Sequence, residues 1–502
     1  MQATNPIKCF VAYLFAMALL VSSCGDLYAR NRSNSVLKVS TCLQQSNPAQ
    51  KRLEGIWVGI LEVQGVKLRL ILKIAQDSAG ALSAKLDVPD QGASDLPIET
   101  ISLQGETLRF EAKNLGLTYE GTLAADRSEI AGTLKQEPGT FPVTFKKTDK
   151  APKIGRPQDP QKPYPYLEEE VSYENKTDAV KLAGTLTLPR TGGPFPAVLL
   201  ITGSGPQDRN EMIGGHRPFL VLADHLTRLG IAVLRVDDRG MGGSSRGALT
   251  ATTENYVGDV LTGVEFLKGR KEINPRQIGL IGHSEGGTIA SMAAVRSKDV
   301  AFIVMMAGTG LPGDEEGLIQ TDMLLKAQGF DDESIRLARE LYTAIFAILK
   351  GRDDSATAEK QIRTVVSTRT AAMTDVQRKN LEPLLQAINT QTQAYLTEWF
   401  RFYLRYDSRP TLRKVKIPVL AINGEMDMQV AAKANLDSIA AALKQAGNPD
   451  FSTVLLPKMN HLFQTTSTGL LSEYGELEET ISPIALKTMS DWILKHTTQP
   501  KQ

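Results

Sequence analysis

The stretch Ile278-Gly279-Leu280-Ile281-Gly282-His283-Ser284-Glu285-Gly286 decides the fold. An apolar run of buried-strand type enters a small-residue turn, and residues 285–294 continue as a helix. A serine at the apex of a strand–turn–helix unit carries its hydroxyl raised, and flanking glycines let strand and helix approach closely. Upstream lie apolar runs at 197–201 and 231–236, separated by a helical pattern at 219–229 that ends at Gly230. A second helical pattern at 254–267 leads into the decisive stretch, and 302–306 is a further apolar run. Continuous apolar strands between amphipathic helices imply a parallel sheet covered on both faces. Half-buried segments at 169–173 and 181–187 give it an antiparallel opening.

At Gly308 this rhythm stops. About a hundred residues of helical pattern, including 333–349 and 377–403, intervene before the apolar run 418–422 resumes the sheet. An insertion of that length between core strands is expected to form a helical cap, over about 309–412. A last strand at 452–456 and a closing helix at 482–495 complete the unit, whose limits are set at 167–498.

Ahead of it, Arg156-Pro157-Gln158-Asp159-Pro160-Gln161-Lys162-Pro163-Tyr164-Pro165 holds four prolines in ten residues, within a connector at 149–166. Such density gives a stiff, extended linker. Residues 50–148 have a different pattern. In 67–74, Leu68, Leu70, Leu72 and Ile74 fall on one face, the period of a half-buried strand. Short strands recur at 57–61, 108–111, 117–121 and 130–134, so a small all-β barrel or sandwich is expected, with a diffuse resemblance to lipocalin-like modules.

A serine hydroxyl is a weak nucleophile until a base takes its proton. The chain has five histidines: His216, His225, His283, His461 and His496. With the acid after the nucleophile and the histidine after the acid, His461 and His496 remain. His461 follows the last strand in a loop, whereas His496 sits in the terminal helix and reads as solvated. Glu425 and Asp427, after the strand 418–422, both qualify as the acid. The developing oxyanion needs fixed N–H donors. One is the amide of Glu285; the other belongs to the glycine-containing loop Thr202-Gly203-Ser204-Gly205.

Gly282-His283-Ser284-Glu285-Gly286, the G-x-x-D-x-x-V pattern from Gly424 to Val430, the 202–209 loop and Asp237-Asp238-Arg239-Gly240-Met241-Gly242-Gly243-Ser244 arrive in an order that resembles the α/β-hydrolase superfamily over about 166–495. The resemblance is to exported, serine-aminopeptidase-like esterases. It implies an α/β-hydrolase fold with Ser284, His461 and Asp427 as the catalytic triad, and Glu285 and Ser204 as oxyanion donors. It further implies carboxyl-ester hydrolysis through an acyl-enzyme, on a small-molecule substrate, with no cofactor and no metal. A peptidase or amidase with the same triad, or a binding protein without activity, are the alternatives. The 237–244 loop is given a structural part, its Arg239 held by carboxylates.

Lys plus Arg number 57 against 56 for Asp plus Glu, so no charge excess points to nucleic acid. Lys8 precedes the apolar run 9–21, too short to span a bilayer, which makes residues 1–29 a signal peptide and the protein an exported, cell-envelope one. Two endings are compatible. Val21-Ser22-Ser23-Cys24 resembles a loose lipobox that would anchor the protein to the membrane by lipidation of Cys24, and cleavage near Ala29 would release it. With Cys9 removed and Cys24 so used, Cys42 stands alone, and no disulfide framework is available.

Overall fold

In the N-terminal unit the strands pair as an antiparallel meander. β1 (Gly55–Val63), β2 (Val66–Gln76), β3 (Leu82–Val88) and β4 (Ala93–Ile98) run to one edge of the sheet. β5 (Thr100–Gln104), β6 (Thr107–Ala112), β7 (Leu117–Leu123), β8 (Glu129–Gln136) and β9 (Gly139–Thr148) run back from the other. The order β4-β3-β2-β1-β9-β8-β7-β6-β5 puts two consecutive strands at opposite edges, so the sheet curls into a nearly closed barrel. Glu99, between them, already donates its amide to Glu111 of β6 at 2.9 Å. The period of two explains the core: Leu68, Leu70, Leu72 and Ile74 are buried with Trp57, Phe110, Tyr119 and Phe145. The interior is thus filled by side chains. β3, β4, β5 and β9 lie outside the strands expected from sequence, although Leu82, Ala84, Leu86 and Val88 of β3 and Phe141, Val143 and Phe145 of β9 also alternate.

This computed structural model describes residues 53–497, apart from 64–65, 78–79, 92, 137–138 and 151–154. The signal peptide, with Cys9 and Cys24, and Cys42 lie outside the described residues.

The chain divides near Pro157. The second unit opens with β10 (Leu167–Asn175) and β11 (Val180–Leu188), then β12 (Phe195–Ile201), α1 (Pro218–Arg228) and β13 (Ala232–Val236). α2 (Thr253–Lys268), β14 (Ile273–His283), α3 (Glu285–Arg296) and β15 (Phe302–Met306) follow. The sheet order is β10-β11-β13-β12-β14-β15, continued by β16 (Val419–Gly424) and β17 (Phe451–Leu456). β10, β11 and β13 pair antiparallel, and every pair from β13 through β17 is parallel. This is the α/β-hydrolase fold.

The unbroken apolar runs have a simple cause. Along β12, Ala197, Leu199 and Ile201 enter one core, and Val198 and Leu200 enter the core on the opposite face. β15 divides likewise, Ile303 and Met305 against Phe302, Val304 and Met306. Each of the Val, Leu, Ile, Phe and Met side chains among these contributes about 1.5–3 kcal/mol when fully buried. α10 (Ala432–Ala446) packs on the first face and α11 (Pro483–Thr497) on the second.

Between β15 and β16 stands the cap: α4 (Gly313–Ala327), α5 (Asp332–Lys350), α6 (Ser355–Ala372), α7 (Asp375–Tyr395), α8 (Glu398–Arg405) and α9 (Ser408–Leu412). Leu341, Tyr342, Ile345, Phe346 and Leu349 form the buried stripe of α5 in a core of the cap's own. The helix expected over 377–403 is instead two, because the Thr397 hydroxyl accepts from the Phe400 amide at 3.3 Å and starts a new helix.

Candidate active site

Parallel strands deliver their C-terminal ends to one edge, and four loops there carry the chemistry-bearing residues. Ser284 follows β14 directly, with φ 54° and ψ −118°, a conformation that a non-glycine residue holds only when its surroundings enforce it. Its amide donates to Met306 O at the end of β15, at 2.8 Å. The neighbouring glycines are required by space. A Cβ on Gly282 would lie 2.0 Å from Gly286 O, and one on Gly286 2.3 Å from Ile201 O.

Asp427, after β16, and His461, after β17, meet through a 2.7 Å hydrogen bond between His461 Nδ1 and Asp427 Oδ2. Both side chains are buried, at 4% and 0% exposure. Asp427 Oδ1 accepts the Gln429 and Val430 amides at 2.7 and 2.9 Å, which fixes the carboxylate in its loop. Glu425 faces solvent and accepts the Lys458 amide at 3.2 Å. His496 also differs from its expected solvated state: Nδ1 donates to Trp492 O at 2.7 Å, and Nε2 lies 3.0 Å from Asp450.

The loop after β12 comes within contact of Ser284, since a Cβ on Gly203 would sit 3.3 Å from Ser284 Cβ. The Gly203 amide is committed to Glu211 Oε1 at 2.7 Å, so Ser204 is the next amide along. Glu285 opens α3, where main-chain N–H groups have no helical carbonyl to bond.

The Glu285 side chain was not anticipated. It is buried and accepts the Thr253 hydroxyl at 2.7 Å and the Trp399 indole N–H at 2.9 Å, while the Ser204 side chain also reaches it. Burial raises its carboxyl pKa, and those three donors pull against the rise. Asp238 is pushed well above the carboxylate range, again by burial, against hydrogen bonds from Thr202 and the Gln207 amide. Thr202 reaches both Asp238 oxygens at 2.9 Å. Glu285, Asp238 and Thr202 line a cavity of about 80 Å³ with Tyr256 and Ile289. Arg239 is held by Asp178 and Asp259, and Asp237 binds Arg209. Its place directly after Ser284 carries no sequence signal of burial, so sequence points to Glu285 only as a candidate backbone donor. Among the described residues no metal-binding group of His, Cys, Asp and Glu assembles.

Compared with known proteins, residues 178–462 match the family described as X-Pro dipeptidyl-peptidase (S15 family). Esterase EstD of Thermotoga maritima is 32% identical over 200 residues, 39% of this chain and 46% of that protein. Putative hydrolase YtaP of Bacillus subtilis is 30% identical over 161 residues, 28% and 50% of the two chains. The chain thus spans about half the length of these curated relatives. Among solved structures, the Pyrococcus furiosus esterase Pf2001 aligns at TM-score 0.39 and 16% identity, over 70% of this chain and 100% of that one. The α/β hydrolase GrgF from Penicillium sp. sh18 aligns at TM-score 0.41 and 15% identity, over 66% and 100%.

Proposed function

The chain belongs to the X-Pro dipeptidyl-peptidase (S15) family, and on that premise we propose that it is a serine hydrolase cleaving carboxyl esters through an acyl-enzyme. The observation that carries this reading is the buried His461–Asp427 pair, with the His461 carbonyl oxygen 3.0 Å from the imidazole of His283, the residue before a serine held at positive φ on a strand–helix turn. Asp427 accepts at Nδ1, which leaves Nε2 as the imidazole atom that can take a proton. Ser284 Oγ attacks the carbonyl carbon and passes its proton to His461 Nε2. The tetrahedral oxyanion is held by the amides of Glu285 and Ser204. As the carbonyl re-forms, the bond to the alcohol breaks and His461 returns the proton to that alcohol. Water, deprotonated by the same histidine, then releases the acid and restores Ser284. Esters lead because an alcohol leaves with less assistance than an amine. The similarity to Esterase EstD is in keeping with that choice.

The family's description supports a second reading, a peptidase or amidase with the same residues. Turnover of ester and amide analogues sharing one acyl group separates them. For the first reading, the test is hydrolysis of p-nitrophenyl esters of short and medium acids by wild type beside Ser284→Ala. Hydrolysis abolished in the variant is the expected result. Equal, background-level rates in a folded wild type would overturn it. For residues 1–29 the proposal is export, with an envelope location anchored through lipidated Cys24; palmitate labelling lost in Cys24→Ala tests the anchor.

A further inference from the structure

Two buried side chains beside Ser284 take no part in the steps above. His283 immediately precedes the nucleophile, and Glu211 follows the loop after β12; they are 3% and 1% exposed. Glu211 adopts φ 53°, which turns it back toward the site. Its Oε1 atom accepts the Gly203 amide at 2.7 Å and lies 2.9 Å from His283 Nδ1. The other ring nitrogen, His283 Nε2, is 3.0 Å from the backbone carbonyl oxygen of His461, and the two imidazoles stand 4.6 Å apart between centroids.

A proton count fixes what this arrangement is. A carbonyl can only accept, so Nε2 bears a proton. The Nδ1–Oε1 contact holds one more, on the imidazole or on the carboxyl. Either way the Glu211–His283 pair is neutral overall, and both imidazole nitrogens are engaged. It links three things that must stay in register: the loop carrying Ser204, the turn carrying Ser284, and the backbone that carries His461. Burial by itself would hold His283 in the neutral form, yet the charge of Glu211 and its hydrogen bond raise the histidine's pKa. The further charge acting on it is Asp427, on the far side of His461.

We propose that Glu211 and His283 are a positioning pair, a second acid–histidine couple that sets the oxyanion loop and the backbone of His461 against Ser284. The inference rests on the serine-hydrolase reading for its kinetic consequence. Its structural consequence, the placement of His461 against Asp427, stands without it. Glu211→Gln is the informative change. One amide oxygen must then serve the Gly203 amide, and the amide nitrogen cannot replace the negative charge opposite Nδ1. His283→Phe keeps a ring in place and removes both nitrogens.

Both variants and the double variant are measured on p-nitrophenyl acetate after their fold is checked by near-ultraviolet circular dichroism. Each single change is expected to lower kcat about 100-fold, the effect of roughly ångström misplacement of reacting groups, with KM changed little. The double variant should be no worse than the poorer single one, because both remove the same couple. Independent, multiplying losses, or kcat within twofold of wild type, would overturn the proposal. If Glu211→Gln does not fold, Glu211→Asp, which keeps the charge but withdraws it by one methylene, is read against the same criteria. The low-field proton resonance of His461 Nδ1–H gives a readout without turnover. It should shift in the Glu211 variant, and an unmoved resonance would overturn the proposal even if wild type proves inert toward esters. Inert wild type with a shifted resonance would retire the esterase reading alone.

Discussion

Replacing Asp427 by Asn changes little but the hydrogen on His461. The Asn oxygen can keep the Gln429 and Val430 amides that Asp427 Oδ1 now accepts at 2.7 and 2.9 Å. The amide nitrogen then occupies the place of Oδ2, 2.7 Å from His461 Nδ1, and presents a hydrogen where the carboxylate presented a lone pair. Nδ1 must become the acceptor, so the proton moves to Nε2. That atom can no longer take the Ser284 proton, and the imidazolium formed during attack loses its counter-charge. A wrong tautomer of this kind lowers kcat by about 10⁴-fold in the serine protease triad, equivalent to roughly 5.5 kcal/mol of transition-state stabilisation. The assay is p-nitrophenyl ester hydrolysis under saturating substrate, with thermal unfolding as the check on integrity. We expect a loss of that order with a melting temperature close to wild type. A folded Asp427→Asn that retains more than a tenth of wild-type kcat would rule out Asp427 as the acid partner of His461, decisively so if Glu425→Gln were the variant that lost activity.

Glu316, buried at the start of the cap, has its carboxyl pushed up to about 7, mainly by burial and partly by the charge of Asp427, against donors from Asn435 and Ala431. A raised acid pKa contributes stability that is complete below its ordinary 4.5 and is lost as pH rises through 7. That contribution is on the order of 3 kcal/mol at 1.36 kcal/mol per pH unit; denaturant unfolding should therefore show a fall between pH 4.5 and 7 that Glu316→Gln flattens, and equal slopes would count against it. Gly286→Ala places a methyl 2.3 Å from the Ile201 carbonyl oxygen, so a loss of about 1–3 kcal/mol is expected, read as a lowered melting temperature; an unchanged melt would contradict the tight turn. Trp399→Phe removes the 2.9 Å indole donor from buried Glu285, and leaving a buried polar group short of a partner costs about 1–3 kcal/mol; a denaturant midpoint equal to wild type would mean that this bond holds nothing.

The sequence made the parallel sheet legible because both of its faces are covered. Ala197 to Ile201 and Phe302 to Met306 are apolar at every position, with nothing but a two-sided core to explain them. The barrel was harder. β5 reads Thr-Ile-Ser-Leu-Gln, with Ile101 and Leu103 only partly buried, so its alternation is shallow. The break between α7 and α8 turned on a single threonine cap, a small energy against two strongly helical flanks. In the site, Ser284 and His461 are legible because a serine nucleophile and its base need those residue types and the fold sets their order, whereas Asp427 is separated from Glu425 only by the family resemblance. Glu211, His283 and the Glu285 side chain are not legible. Their meaning lies in which hydrogen bond each completes across separate loops, and spacing along the chain does not encode that.

Treating wild type, Ser284→Ala and His461→Ala with a fluorophosphonate, and mapping the adduct by peptide mass spectrometry, shows whether Ser284 is an activated nucleophile. One phosphonyl group per chain is expected, on Ser284, absent from Ser284→Ala and much slower to form in His461→Ala. A folded wild type that takes up no label, or takes it at another residue, would contradict that reading of Ser284.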